Sequence, residues 1–293
     1  MAADDAPRGV AALGRLEPEG GIIHVAAPST PLSLAGSVIS ELRVAEGDRV
    51  EREQVLAVTD AEPALSAAVE EARTELELAE RAAESARSVA DEACVTAEVA
   101  AKEAARRASL LERELAAREE VEASEGAARA SAASCTAARS DARVAAAGID
   151  VARARLVRRQ AEHARSFVLA PFDGKVLRIL AEPGEYVGAD GVLELGRVDR
   201  MYAIAEVHET EVGQVRAGQR ATVSSAALPG DLSGTVRFIR PKVQKQDETG
   251  TDPAARQDAR IVEVGVLLDD PTAAARLTNL QVEVVIDVGE PTR

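Results

Sequence analysis

The chain has 293 residues, 46% of them hydrophobic but only 2% aromatic, with no Trp. That length allows more than one domain, yet the apolar content is largely Ala, which fills close helix contacts and buries little area, so a large globular core is not expected. The net charge of −15 favours solubility and argues against a nucleic-acid partner, which would need a basic face.

In chain order, Met1-Ala2-Ala3-Asp4-Asp5 has neither the basic n-region nor the apolar h-region of a signal peptide. No later stretch approaches the ~18 apolar residues of a membrane span. On this reading the chain is either cytoplasmic or has lost an anchor. Residues 1–21 read as an N-terminal strand that joins β domains further along. Residues 22–60 are rich in Val, Ile, Gly and Pro in short alternating runs, the pattern of strands. They contain Val25-Ala26-Ala27-Pro28, Gly36-Ser37-Val38, Glu46-Gly47-Asp48-Arg49-Val50 and Val55-Leu56-Ala57-Val58.

From 61 to 166 the turn punctuation disappears and Ala, Glu and Arg dominate, so helix propensity is close to its maximum. Small apolar residues recur at alternating steps of four and three, from Leu65 and Val69 through Ala72, Ala83 and Ala90 to Ala97, and again from Val121 through Ala128, Cys135 and Ala142 to Leu156. That is a heptad seam. The apolar phase shifts around Ala100–Ala104, and a turn is expected near 114–118, where Glu119 and Glu120 suit a helix start. The prediction is an antiparallel coiled-coil hairpin with arms of roughly 50 residues, each ~75 Å long. A long coiled-coil dimer without a turn is the alternative.

Residues 167–197 repeat the motifs of 22–60 in the same order: Val168-Leu169-Ala170-Pro171, Gly174-Lys175-Val176, Pro183-Gly184-Glu185-Tyr186-Val187 and Val192-Leu193-Glu194-Leu195. The step from Gly-x-Val to the acidic turn differs by one residue between the copies, and each glycine stands where a tight turn wants a positive φ. Two such halves make a flattened lipoyl-like β-sandwich, here split by the hairpin. After Gly196 a new section begins. Met201–Val207, Gln219–Ser224, Gly234–Ile239, Ile261–Leu268 and Gln281–Val288 read as strands, Glu209–Val215 as one helical turn, and Lys242–Asp258 as a mobile loop. Residues 198–240 are expected to form a small β-barrel, and 241–293 its end together with a membrane-proximal β domain. The fold class is thus mixed α and β, and elongated.

Chemistry-bearing motifs are sparse. Cys94 and Cys135 are too few for a disulfide framework and fit no zinc spacing. His24, His163 and His208 lie far apart. Adjacent acids such as Asp269-Asp270 and Glu119-Glu120 diverge on a strand or helix, and there is no Gly-rich phosphate loop or nucleophile elbow. A lipoyl or biotinyl carrier would need a modified Lys between the two halves, but the only lysines are Lys102, Lys175, Lys242 and Lys245. A cytoplasmic coiled-coil scaffold would explain the missing signal but not the paired half-motifs.

The order strand, half-sandwich, helical hairpin, half-sandwich, barrel resembles the HlyD-type membrane-fusion proteins over nearly the whole chain. Leu13-Gly14-Arg15-Leu16-Glu17-Pro18, Ala170-Pro171-Phe172-Asp173-Gly174 and Leu277-Thr278-Asn279-Leu280-Gln281-Val282 resemble their DevB-like ABC-exporter branch. The resemblance implies a non-enzymatic, cofactor-free adaptor in the periplasm, tethered to the inner membrane by an N-terminal anchor. It implies an inner-membrane export pump as partner, an ABC permease by this branch, and self-assembly into a ring, commonly a hexamer. It also implies a TolC-like outer-membrane channel met by the hairpin tip. Many such proteins carry Arg-x3-Leu-x6-Ser/Thr at the tip. Here Arg106 and Leu110 match, with Arg113 nearby, but the third position is Ala117, so the hydroxyl is missing. Cys94 and Cys135 lie almost equally far from the expected turn, so antiparallel arms set them nearly opposite. They are a candidate disulfide in an oxidising compartment, or two small residues standing in for Ala.

Overall fold

The structure is a computed structural model and describes residues 9–30, 36–245 and 260–289. Two compact units emerge, one built from 1–27, 36–59 and 168–293, the other from 28–35 and 60–167. The acidic start Met1–Asp5 and most of the expected loop, 246–258, lie outside the described residues.

The first unit is built of strands, with single 3-10 turns at Val212–Gln214 and Ala274–Arg276. Its strands are β1 (Gly9–Val25), β2 (Ile39–Leu42), β3 (Arg49–Val50), β4 (Val55–Thr59), β5 (Phe167–Leu169), β6 (Gly174–Ile179), β7 (Leu193–His208), β8 (Arg220–Ser224), β9 (Leu232–Lys245), β10 (Arg260–Leu268) and β11 (Gln281–Asp287). Hydrogen-bonded neighbours run β1-β11-β8-β9-β10-β7, and β7 pairs back onto β1, so six strands close a cycle. Closure leaves none of the six as a bare edge. Side chains alternate across each strand. Leu16, Met201, Ala203, Val223, Val264 and Val284 face one buried cluster at the centre. Gly14 is dictated by packing, since a Cβ there would stand 2.4 Å from the Ile204 carbonyl oxygen.

Three sequence expectations change here. A break after Gly196 is absent, because β7 runs unbroken through it and carries the chain from one hydrophobic cluster to the other. Packing favours glycine at 196 within the strand, because a Cβ there would stand 2.9 Å from Leu177 and 3.0 Å from Pro18. Lys242 lies in β9, not in a loop. β10 and β11 belong to the same cycle as β7–β9, so the described residues show no separate membrane-proximal β domain.

The second cluster gathers Val25, Ile39, Leu56, Val168, Val176 and Leu193 from both copies of the sequence repeat. The copies interlock reciprocally. Gly47 N–H donates to the Val176 carbonyl at 2.8 Å and Val176 N–H to that of Asp48 at 2.9 Å. In the other direction, Gly184 N–H donates to the Ile39 carbonyl at 2.7 Å and Ile39 N–H to that of Glu185 at 3.0 Å. Arg49 pairs with Lys175, and Val38 with Tyr186. The residue equivalent to Val176 is therefore Ile39, not Val38, and the one-residue spacing mismatch read from the sequence vanishes. Gly36, Gly47 and Gly184 have positive φ, of 134°, 94° and 91°. Gly174 does not; it lies in β6, where a Cβ would come 2.9 Å from the Gly196 carbonyl oxygen.

The second unit is helical. α1 (Glu62–Glu112, 51 residues) and α2 (Arg118–Ala164, 47 residues) are about 76 and 70 Å long at 1.5 Å per residue. They pack on each other along their length. Every residue named above for the seam is buried or half-buried, whereas Leu78, Val89 and Val144 point outward. The phase shift expected near Ala100–Ala104 does not occur. The inward row continues Ala97, Ala100, Ala104, Arg107, Leu111, all at least half-buried. Arg107 at a seam position had masked the continuity. Its guanidinium reaches out to Glu103 at 2.7 Å while the aliphatic stem stays in the seam.

Candidate docking tip and cross-hairpin bridge

The tip is built by two helix ends. α1 closes with the bonding of a Schellman motif: Leu115 N–H donates to the Leu110 carbonyl and Glu114 N–H to that of Leu111, both at 2.9 Å. Glu114 takes the left-handed conformation this requires, φ 60°. The motif's usual apolar contact is between residues such as Leu115 and Leu110, but Leu115 remains 65% exposed. Ala117 is the N-cap of α2, extended at φ −79° and ψ 145°, and offers no side-chain cap. Glu119 and Glu120 sit in the first turn, where carboxylates offset the helix dipole.

The four candidate tip residues are thereby placed. Arg106 is on the outer side of α1, ion-paired to Glu103 at 2.6 Å with its side chain 70% exposed. Leu110 is half-buried in the last turn. Arg113 is the exposed C-cap of α1, its N–H donating to the Leu110 carbonyl at 3.1 Å. Ala117 is exposed on the opposite arm. The guanidiniums of Arg107 and Arg106 hold the Glu103 carboxyl below the usual carboxylate range, against a smaller opposing effect of burial. Sequence reasoning overlooked Leu115, whose exposure is visible only once Glu114 turns the chain.

Cys94 and Cys135 are brought together midway along the arms and joined through their sulfurs, with Cα atoms 4.6 Å apart. Alanine on the seam permits this approach, since a larger side chain would hold the axes further apart.

The three histidines lie apart from one another. His163 meets Glu62 at 3.1 Å and the edge of Phe167, His24 the Asp190 carbonyl, and His208 the Thr210 hydroxyl. Among the described residues, no group of three or more His, Cys, Asp or Glu is placed to hold a metal ion, and no helix is long and apolar enough to cross a membrane.

One cluster was not anticipated. Glu263 of β10 has a side chain only 7% exposed, with Arg15 Nη2 and Arg240 Nη1 each at 2.9 Å. The Arg240 contact is close but not aligned for a hydrogen bond. Arg15 also reaches Glu17 and Glu206. Burial opposes the Arg15 charge, but the Glu263 hydrogen bond and the nearby carboxylates outweigh it and raise its pKa. The signal was a lone carboxylate inside Ile261-Val262-Glu263-Val264, a strand otherwise apolar on both faces.

The chain shares its fold with membrane fusion proteins of known structure. The membrane fusion protein Spr0693 from Streptococcus pneumoniae R6 superposes with a TM-score of 0.62 at 16% identity, covering 94% of this chain and 98% of that one. MacA from Actinobacillus actinomycetemcomitans gives 0.59 at 15% identity, covering 96% and 79%. A MacA-MexA chimera bearing the Pseudomonas aeruginosa MexA α-hairpin gives 0.60 at 14% identity, covering 97% and 83%. In sequence, a UPF0194 membrane protein from the asrC 5' region of Acidithiobacillus ferridurans is 35% identical over 102 residues, 34% of this chain. The match spans 30% of that relative's length. No protein-family profile matches the chain.

Proposed function

We propose that this protein is a non-catalytic periplasmic adaptor of a bacterial export system of the ABC type. In this reading it links an inner-membrane pump to an outer-membrane channel, or extends the pump through the periplasm. One observation carries the proposal: nearly the whole chain shares its fold with nearly the whole of a membrane fusion protein. Residues 22–60 and 167–197 are assigned as the halves of a lipoyl-like sandwich, supported by their reciprocal hydrogen bonds. The six-strand cycle is assigned as a small barrel formed by 198–293 with the N-terminal strand, supported by the β7–β1 pairing. The pump contacts the β unit, copies assemble into a ring, commonly of six, and the tip at Arg106, Leu110, Arg113 and Ala117 meets the channel. The Cys94–Cys135 bridge is assigned as oxidised in the mature protein, which agrees with a compartment outside the cytosol.

The test is made in the source cell with the full-length protein. Cross-linking in intact cells is expected to join it to an inner-membrane transport permease, and a thiol count on unfolded, unreduced protein to find no free thiol. A cytosolic protein with two free thiols and no permease partner would overturn the adaptor reading. Charge reversal of Arg106 and Arg113 is expected to reduce export and leave pump binding intact. Loss of pump binding in the same variant would place that contact elsewhere.

A further inference from the structure

The contact between the two arms is uneven along its length. At the base it carries large side chains, Leu65, Val69 and Leu76 on α1 with Ile149 and Leu156 on α2, all buried or half-buried. The polar contacts that cross between the arms lie there too, Arg155–Glu75 at 3.4 Å and His163–Glu62 at 3.1 Å. At the tip, Leu110 and Leu111 are half-buried and Val121 is buried. In between, the inward row of α1 is alanine from Ala79 to Ala104 apart from Cys94, and that of α2 from Ser124 to Ala145 is alanine and serine apart from Cys135. Alanine buries far less apolar area than leucine, so this middle stretch gains least from pairing. Its ion pairs join residues of one helix, as in Lys102–Glu98 and Arg129–Glu125, and do not tie the arms together.

The local sequence around the turn does little to compensate. Glu114 takes its left-handed conformation, φ 60°, without being glycine, and Ala117 gives α2 no side-chain cap. Gly126, a poor helix former, lies in α2 with nothing within 4 Å of where a Cβ would stand, so packing does not require it. An alanine row also looks the same after a slip of one heptad, so it specifies the register of the arms weakly. The bridge supplies what the seam lacks. Cys94 and Cys135 fall inside the alanine stretch with Cα atoms 4.6 Å apart, and their midpoint in sequence is the Glu114–Leu115 turn.

We propose that the Cys94–Cys135 bridge is a maturation lock on the middle of the hairpin. With both thiols reduced, the alanine stretch opens while the leucine-bearing base stays paired. Oxidation closes it and fixes the tip residues in register. The closing step is thiol–disulfide exchange with a donor disulfide, such as that of a protein oxidant. One cysteine thiolate attacks the donor, whose S–S bond breaks to leave a mixed disulfide. The second thiolate then displaces the donor's remaining sulfur. The chain gives up two electrons and two protons, and the donor departs as two thiols. Such donors act outside the cytosol, so the hairpin is completed only where an adaptor would meet its channel. That consequence rests on the adaptor reading; the lock itself rests on the uneven seam.

The test is hydrogen exchange read by mass spectrometry on the full chain. Three forms are compared: oxidised, reduced with a phosphine, and the joint Cys94→Ala, Cys135→Ala variant, in which alanine continues the seam. Amides of 79–104 and 124–145 are expected to exchange on the order of 100- to 1,000-fold faster without the bridge, the factor that closing a loop of about 40 residues gives by chain entropy. Those of 62–76, of 149–164 and of the β unit are expected to keep their rates. Oxidised glutathione is expected to restore protection in the reduced chain and not in the variant. Unchanged exchange in the middle stretch overturns the proposal. So does equal acceleration over the whole hairpin, which would make the bridge a general staple. In the source cell the variant is expected to keep its cross-link to the permease and lose most of its export. Normal export by a variant whose middle stretch opens overturns the role in maturation. If exchange behaves as expected but the unaltered chain cross-links to no permease, the lock stands and the adaptor reading falls.

Discussion

The start of α2 offers a sharp test of the tip geometry. Ala117 already has the extended backbone of an N-cap, and its carbonyl accepts from Val121 N–H at 3.3 Å. What it lacks is an oxygen for the free N–H groups of the first turn. In Ala117→Ser the hydroxyl would accept from the Glu120 N–H, and the Glu120 carboxylate could reach back to the N–H of residue 117, completing a capping box. Substitution of Ala by Ser at such a position is worth about 1 kcal/mol, within a range of about 0.5–2. Half-buried Ala116 and buried Val121 already stand as the apolar pair that flanks the box. The assay is urea unfolding followed by helix ellipticity, comparing Ala117→Ser, Ala117→Gly and the parent. Ser is expected to raise the midpoint without changing the slope. Adding Glu120→Ala to the Ser variant should remove part of the gain. A neutral or destabilising Ala117→Ser would refute the placement of the N-cap at 117, and with it the tip geometry.

Replacing 64–165 by a short Gly-rich turn should leave the β unit folded, because β4 and β5, which flank the hairpin in sequence, are hydrogen-bonded neighbours in a three-stranded sheet; loss of β-type circular dichroism would contradict this. Opening the bridge with Cys94→Ala and Cys135→Ala removes a cross-link across 41 residues of chain, worth up to about 4 kcal/mol by chain entropy, and should lower the hairpin melting temperature. Glu98 and Glu103 are held below the usual carboxylate range, chiefly by hydrogen bonds from Lys102 and Arg107 respectively. Their contribution is present above the unfolded carboxylate range, near pH 4.3, and is lost as pH falls through the lower folded values. Glu103→Gln should therefore flatten the fall in hairpin stability between about pH 5 and pH 3, and an unchanged profile would show that the ion pairs carry no weight.

Much of the fold was legible because two periodicities dominate the sequence. Alternating steps of four and three from Leu65 onward require two helices that share a seam, and the seam residues named from sequence are covered in the structure. Two near-identical motif series on either side imply two halves of one β element, and their backbones do pair reciprocally. Failures occurred where one residue can serve two purposes. Arg107 looked like a break in the seam because its charge hides an aliphatic stem. Val38 looked like the repeat equivalent of Val176 because both follow Gly-x, whereas the hydrogen-bond pattern makes Ile39 the equivalent. Gly196 looked like a boundary because glycine ends many strands, whereas here it admits Leu177 and Pro18.

The candidate site was less legible than the fold, and Ala117 shows why. Read as a motif position, it is a missing hydroxyl and counts against docking at this tip. Read as a helix start, the same position is the N-cap of α2, where Ser or Thr would stabilise the hairpin whether or not a partner exists. A Ser or Thr at this place therefore conflates a structural role with a docking role. The two separate by experiment. If Ala117→Ser raises stability and leaves export unchanged, the hydroxyl belongs to the cap, and docking rests on Arg106, Leu110 and exposed Leu115. If it raises export beyond what Glu114→Gly achieves, the hydroxyl contributes to docking itself. Glu114→Gly is the appropriate control because it relieves the left-handed strain at φ 60°, worth about 1 kcal/mol, and so steadies the same turn without adding a hydrogen-bonding group.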